Sequence, residues 1–151
     1  MNTTKVQLTL RSTHFGPGGA DTEEEKLTGT WTGPMGRRGE KEPAGSPEKG
    51  QLTWADPVQA GLGRTENLLE LHAAGMVLRK RGDTSARMVF RPGKSTCFDY
   101  HTPYGALPMA VHTRAASWQV TGTGGRVELD YGLSVADGAE ERVKLEISFT
   151  F

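Results

Sequence analysis

The end of this chain alternates between apolar and polar side chains with a period of two residues. Every second residue is apolar from Val127 to Val135, and the same pattern returns from Val143 to Phe151. The first segment, Lys5–Arg11, repeats it with three apolar positions. Successive side chains of a β-strand point to opposite faces of the sheet, so each segment has one dry face and one wet face. The pattern predicts antiparallel sheet that covers a core on one side.

Weaker strands fill the middle of the chain, and Gly- or Pro-containing turns separate them. The segment 65–74 fits either a short helix or a strand, and the glycines at 63 and 75 bound it closely, which favours a strand. With that segment included, we place the middle strands at Lys26–Thr32, Gln51–Asp56, Glu66–His72, Met76–Arg81, Arg87–Arg91, Thr96–His101, Ala106–Thr113 and Ser117–Thr121.

An open meander of about ten short strands would leave two bare edges, which invite aggregation. The first and last strands are both strongly amphipathic, so pairing them would close the sheet and remove these edges. We therefore predict an all-β fold, a closed or nearly closed antiparallel up-and-down β-barrel of about eight to ten strands. A two-sheet sandwich is the alternative.

Composition limits the function classes that remain. The 151 residues suit a single domain, 1–151. Lys plus Arg and Asp plus Glu number 18 each, and a net charge of zero argues against a generic nucleic-acid binder, although clustering could still create a local basic patch. The single cysteine and the lack of an apolar run suited to a signal peptide or membrane span make a reducing cytoplasm the expected location, without a membrane partner.

The segment Gly33–Gly50 is charged, rich in Gly and Pro, and nearly free of apolar side chains. Such a composition cannot bury enough surface to offset its ordering entropy. We expect a long, mobile hairpin loop here, and a lid or partner-binding arm is the alternative.

The segment from Cys97 to Thr113 carries a thiol, an acid and two imidazoles, yet its parity predicts a hairpin. If Phe98 and Tyr100 face the core, they should lie opposite Met109 and Leu107. A two-residue loop would place a positive φ on Pro103, which the proline ring forbids. We therefore expect a four-residue loop, Thr102–Gly105, built on a type I turn. The outward face would then carry Cys97, Asp99 and His101.

Few patterns in the sequence point to catalysis. The four histidines are scattered without metal-ligand spacing, and no Gly-rich segment leads from a strand into a helix, so we expect no metal and no cofactor. One pair of charges stands out. Extending the alternation of Leu52 and Trp54 turns Asp56 inward, and extending that of Met76 and Leu78 turns Lys80 inward.

Two opposite charges facing one interior predict an ion pair, because burying either charge alone is costly. The pair could be a structural feature of the barrel rim. It could also be a polar anchor inside an otherwise apolar pocket, joined by the hydroxyls of Tyr100 and Tyr131.

Several short motifs follow one another in a distinctive order from Trp54 to the C-terminus. The most specific is the turn Tyr100-His101-Thr102-Pro103-Tyr104-Gly105 with the apolar alternation after it. The others are Trp54-Ala55-Asp56, Arg79-Lys80-Arg81-Gly82, Met88-Val89-Phe90 and the alternating last two strands. This order of features resembles the YwiB-like family of bacterial proteins of unknown function. The resemblance implies a calycin-type barrel, like the lipocalins and fatty-acid-binding proteins in architecture, and it implies no catalytic residues.

Our leading hypothesis from the sequence is a small binding barrel that holds an apolar or amphipathic molecule without covalent chemistry. A cavity above about 300 Å³ lined by Trp54, Phe98, Tyr100, Met109 and Tyr131 would favour this hypothesis, and an interior packed solid by those side chains would refute it. An interaction module with a filled barrel is the alternative, and an enzyme built on the Asp56–Lys80 pair is a third. The expected ligand-binding residues are Trp54, Asp56, Lys80, Phe98, Tyr100, Met109 and Tyr131.

Overall fold

The computed structural model describes residues 3–34, 49–56, 65–135 and 138–151. These residues form ten β-strands and no helix. The strands are β1 Thr3–Gly16, β2 Gly19–Thr32, β3 Lys49–Ala55, β4 Thr65–His72, β5 Gly75–Gly82, β6 Ala86–Phe90, β7 Ser95–Thr102, β8 Gly105–Val120, β9 Gly124–Val135 and β10 Glu141–Thr150. The all-β prediction is confirmed, and the ambiguous segment that begins at Thr65 is a strand.

The strands form one antiparallel sheet in the order β6-β5-β4-β3-β2-β1-β10-β9-β8-β7. The predicted pairing of the first and last strands is confirmed, with a ladder that runs from Gln7 opposite Thr150 to Phe15 opposite Arg142. The two edges of this sheet, β6 and β7, are consecutive in the chain. They are joined by one isolated backbone bridge, between Ser85 and His101, and by a hydrogen bond from Thr96 Oγ1 to the backbone oxygen of Val89. The structure is therefore a nearly closed barrel with a seam between β6 and β7.

Two predicted strands, Ala106–Thr113 and Ser117–Thr121, are one long strand, β8. A register shift between Thr113 and Ala115 interrupts its ladder with β9. This β-bulge adds one residue, so the apolar alternation changes parity, and the sequence alone reads as two strands.

The predicted hairpin register is confirmed, since Tyr100 lies opposite Leu107 and Phe98 opposite Met109. The expected loop length is wrong. Thr102 and Gly105 form the last ladder pair, which leaves a two-residue connection. The two-residue connection needs no positive φ at Pro103, because the residue with a positive φ is Gly105, at 128°.

The core runs through the barrel interior. Its buried aromatic and aliphatic side chains come from every strand except β7, whose Phe98 is partly buried and packs against it. Trp31 is fully buried, stacks on Phe149 with ring centroids 4.9 Å apart, and lies 6.0 Å from the ring of Trp118. Most of the predicted loop, residues 35–48, lies outside the described residues, and Lys49 and Gly50 already belong to β3. No described helix is long and apolar enough to cross a membrane.

Candidate functional site

The two ends of the barrel differ in how completely side chains fill them. Inward-facing residues near the start of β3, β5 and β9, such as Leu52, Met76 and Val127, are at most 2% exposed. We call this end the filled end. At the opposite end, where β3, β5, β7 and β9 finish, most inward-facing residues are only partly buried. We call this end the open mouth. Its partly exposed inward side chains are Leu10, Leu27, Asp56, Lys80, Phe98, Tyr100, Leu107, Met109, Tyr131, Leu133 and Leu145.

A hydrogen-bonded polar cluster forms one wall of the open mouth. Asn67 Nδ2 donates to Asp56 Oδ1 at 2.7 Å, and Lys80 Nζ donates to Asn67 Oδ1 at 2.9 Å. Lys80 Nζ also lies 3.7 Å from Asp56 Oδ2, so the predicted pair of inward charges forms an ion pair. The side chains of Lys80 and Asp56 retain 25% and 38% exposure, whereas Asn67 is buried. We call Asp56, Asn67 and Lys80 the polar anchor.

Trp54 adjoins the polar anchor, because it is the cross-strand partner of Asn67. Its side chain is buried, and its indole Nε1 has no hydrogen-bond partner among the described residues. Thr113 lies on β8, several strands away from Trp54 in the sheet. Its hydroxyl Oγ1 is likewise buried and has no hydrogen-bond partner among the described residues. Buried polar atoms are usually paired with protein or water, so these two atoms are exceptions among the described residues.

The other predicted site residues form the apolar wall of the open mouth. Phe98 faces Met109, and Tyr100 faces Leu107, across the hairpin of β7 and β8. Leu107 retains 41% exposure, and its same-face neighbours Tyr100 and Met109 are only partly buried. These apolar side chains of β7 and β8 lie across the barrel seam from Lys80. Lys80 is on β5, and Ser85, which forms the seam bridge to β7, lies in the turn after β5.

Tyr131 extends the apolar wall from β9. Its ring packs edge-on against Phe90, with centroids 5.0 Å apart. Burial raises the pKa of the Tyr131 hydroxyl to about 12, and the negative charge of Glu141 adds to the increase. Glu141 is the first residue of β10, at the open mouth. Within the polar anchor, Asp56 and Lys80 are each hydrogen-bonded to the side chain of Asn67.

Two surface concavities flank the polar anchor. One has a volume of about 680 Å³ and is formed mainly by outward-facing residues of β2 to β5, and the inward-facing Trp54 and Asn67 also contribute to its lining. The other, of about 480 Å³, lies at the seam and includes Lys80 and Phe98. Neither contains the full predicted set of ligand-binding residues. Among the described residues, no group of three or more His, Cys, Asp or Glu side chains could hold a metal ion.

Comparison with known proteins confirms the expected family. Residues 47–147 match the family described as "Domain of unknown function (DUF1934)". The chain belongs to the DUF1934 family. The structure of this DUF1934 protein is similar to the crystal structure of the ywiB protein from Bacillus subtilis, with a TM-score of 0.79 and 17% sequence identity over 98% of this chain and 92% of that chain. At that identity the similarity shows the fold alone. A search of curated proteins finds no match.

Asn67, which joins the two charges of the polar anchor in this DUF1934 protein, was not predicted from the sequence. The signal was present in the strand pattern. Leu69 and Leu71 alternate on the inward face of β4, and the same parity extended by two residues places Asn67 inward. An asparagine amide carries no charge to mark it in the sequence, yet its NH₂ group can donate to a carboxylate while its oxygen accepts from an ammonium group.

Proposed function

We propose that this protein binds a small amphipathic molecule at the open mouth of its barrel, in a lipocalin-like manner. The observation that carries the proposal is the contrast between the two barrel ends, because side chains close one end and leave the other lined by partly exposed apolar groups. Ligand sites in proteins are mostly apolar concave surfaces with a few fixed polar groups.

The polar anchor supplies the fixed polar groups. Asn67 is 2% exposed and holds both Asp56 and Lys80, so their side chains keep one arrangement before a ligand arrives. Both charges retain solvent exposure and can still accept a further partner. A prearranged polar group favours binding because less conformational freedom is lost when the ligand binds.

The apolar wall supplies the rest of the binding energy. Phe98, Tyr100, Met109 and Tyr131 lie on the three strands that face the anchor across the barrel and its seam. Covering a partly exposed apolar side chain stabilises a complex by about 25 cal/mol for each Å² removed from water. An aliphatic or aromatic body with one polar group matches this surface, and we propose the cytoplasm as the place where binding occurs.

Two measurements test the proposal. Native mass spectrometry of the freshly purified full chain should show a reproducible extra mass. Titration with anilinonaphthalene sulfonate, which joins apolar rings to one charged group, should give saturable fluorescence from the folded protein. Lys80→Met and Leu107→Ser should each weaken dye binding, the former by about tenfold because a charged hydrogen bond is lost.

Lys144→Met is the matched control, since Lys144 is exposed on the outer face of β10 and loses the same charge. The proposal fails if the folded protein carries no extra mass and binds no dye. It also fails if Lys80→Met and Lys144→Met change the dye affinity equally.

A further inference from the structure

The outer face of β5 and β6 places like charges directly opposite each other. Arg79 and Arg87 are cross-strand partners, and Arg81 follows two residues along the same face of β5. Side chains opposite each other in an antiparallel pair have Cβ atoms roughly 5 Å apart, and like charges at this position are destabilising. The chain has no net charge, so this local clustering is not the consequence of a basic composition.

Described carboxylates neutralise only part of this cluster. Glu70 lies 3.2 Å from Arg79, and Asp56 pairs with Lys80 on the inner face. Arg81 and Arg87 form no salt bridge to any described carboxylate, although Glu66 is the cross-strand partner of Arg81. Two arginine side chains on neighbouring strands therefore remain available to an external anion.

The same arginines border a groove at the barrel seam. The seam groove has a volume of about 480 Å³ and is lined by Arg79, Lys80, Arg81 and Arg87, with Asp99 as its single lining carboxylate. It forms here because β6 and β7 share one bridge, at Ser85 and His101, and no further ladder pairs. The seam thus leaves a concave surface beside the unpaired charges, whereas the outer face of a continuous barrel sheet is convex.

We propose that the seam groove binds a small phosphate-bearing molecule through Arg81 and Arg87. A phosphate group at neutral pH carries a charge of about −1.5 to −2, which matches two otherwise unpaired guanidinium groups. The planar fork of arginine donates two parallel hydrogen bonds to such a group. The groove's volume suits a small molecule, and the zero net charge disfavours a nucleic-acid track. The seam groove shares Lys80 and Phe98 with the proposed dye-binding site at the open mouth. Arg81 and Arg87, which carry this proposal, lie on the outer face of β5 and β6 and take no part in dye binding.

Isothermal titration calorimetry of the full chain with inorganic pyrophosphate tests the proposal. We expect saturable binding that weakens with added salt, because the contacts are electrostatic. Arg87→Gln and Arg81→Gln should each reduce the affinity by about tenfold or more. Arg126→Gln is the matched control, since Arg126 is paired with Glu128 on the far side of the sheet, and it should leave the affinity unchanged. Circular dichroism verifies that each variant is folded.

Absence of saturable heat from the folded wild-type chain overturns the proposal, as does an equal loss in Arg126→Gln. A parallel titration with a single-stranded RNA oligonucleotide tests whether the seam groove binds nucleic acid instead of a small molecule. If RNA binds more tightly than pyrophosphate and loses affinity in the same two variants, the small-molecule proposal is also overturned. Because Lys80 is unchanged in these variants, their outcome is independent of the dye titration.

Discussion

Asp56 and Lys80 are held together by a third residue as well as by their charges. Their closest charged atoms are 3.7 Å apart, whereas each makes a shorter hydrogen bond to the amide of Asn67. The amide donates to the carboxylate and accepts from the ammonium, so one buried side chain satisfies both. This arrangement fixes the geometry of the polar anchor between the end of β3, which Asp56 follows directly, and the neighbouring strands β4 and β5.

Replacing Asn67 by Leu should therefore destabilise the protein. The substitution keeps the approximate volume but removes one donor and one acceptor, which leaves two partly buried charges without their shortest contacts. We expect a loss of about 1–3 kcal/mol in the free energy of unfolding, measured by urea denaturation. The same substitution in an Asp56→Ala, Lys80→Met background should cost clearly less. Equal losses in both backgrounds would show that Asn67 acts independently of the pair.

The close approach of β2 to β3 should make Gly29 intolerant of any side chain. An added Cβ at Gly29 would overlap the backbone oxygen of Thr53, which cannot move without disturbing the sheet. Gly29→Ala should thus destabilise the fold by about 1–3 kcal/mol. Gly18→Ala is the matched control, because a Cβ at this position in the β1–β2 turn would have no other atom within 4 Å. Thermal denaturation compares the two variants, and similar midpoints would refute the prediction.

The Asp130–Arg142 pair should contribute to stability at neutral pH and lose its contribution in acid. Arg142 donates from Nε and Nη2 to the two carboxylate oxygens, at 3.1 and 2.8 Å, and these bonds hold the pKa of Asp130 below its usual value of 3.8. A pKa lowered in the folded state gives stability that is present above the unfolded-state pKa and is lost as the pH falls through the folded-state pKa.

The measurement is urea denaturation of the wild type and of Asp130→Asn, at neutral pH and at a pH below the usual Asp range. Because the pair is solvent-exposed on one side, we expect a difference of less than about 1 kcal/mol at neutral pH, which disappears in acid. A difference that persists unchanged in acid would exclude the ionised carboxylate as its source.

Tyr131 should produce the opposite dependence in alkali. Burial raises its pKa from 10.0 to about 12, so the unfolded chain releases the hydroxyl proton before the folded chain does. Below the unfolded-state pKa the hydroxyl is neutral in both states, and its contribution to the free energy of unfolding is fully present. As the pH rises from 10.0 towards 12, the unfolded chain loses the proton first, so this contribution is progressively lost. Between about pH 9 and pH 11, wild type should lose roughly 1 kcal/mol more than Tyr131→Phe. Parallel losses in the two proteins would contradict the assigned pKa.

Much of the fold could be predicted from the alternation of side chains. The inward parity of β9 and β10, the hairpin register at Phe98 and Met109, and the pairing of the end strands all follow from the need to bury one face of each strand. The bulge after Thr113 could not be predicted, because one extra residue in a ladder changes the parity without any distinctive residue type.

The sequence by itself determined that alternate side chains face a shared interior and that Asp56 and Lys80 point into it. Only the tertiary structure decided that Asn67 joins them, that one end of the barrel is filled, and that the seam falls beside Arg81 and Arg87. The physical reason is that parity is a local property of each strand. The filling of an end and the place where a sheet fails to close depend on how strands distant in the chain are aligned with one another.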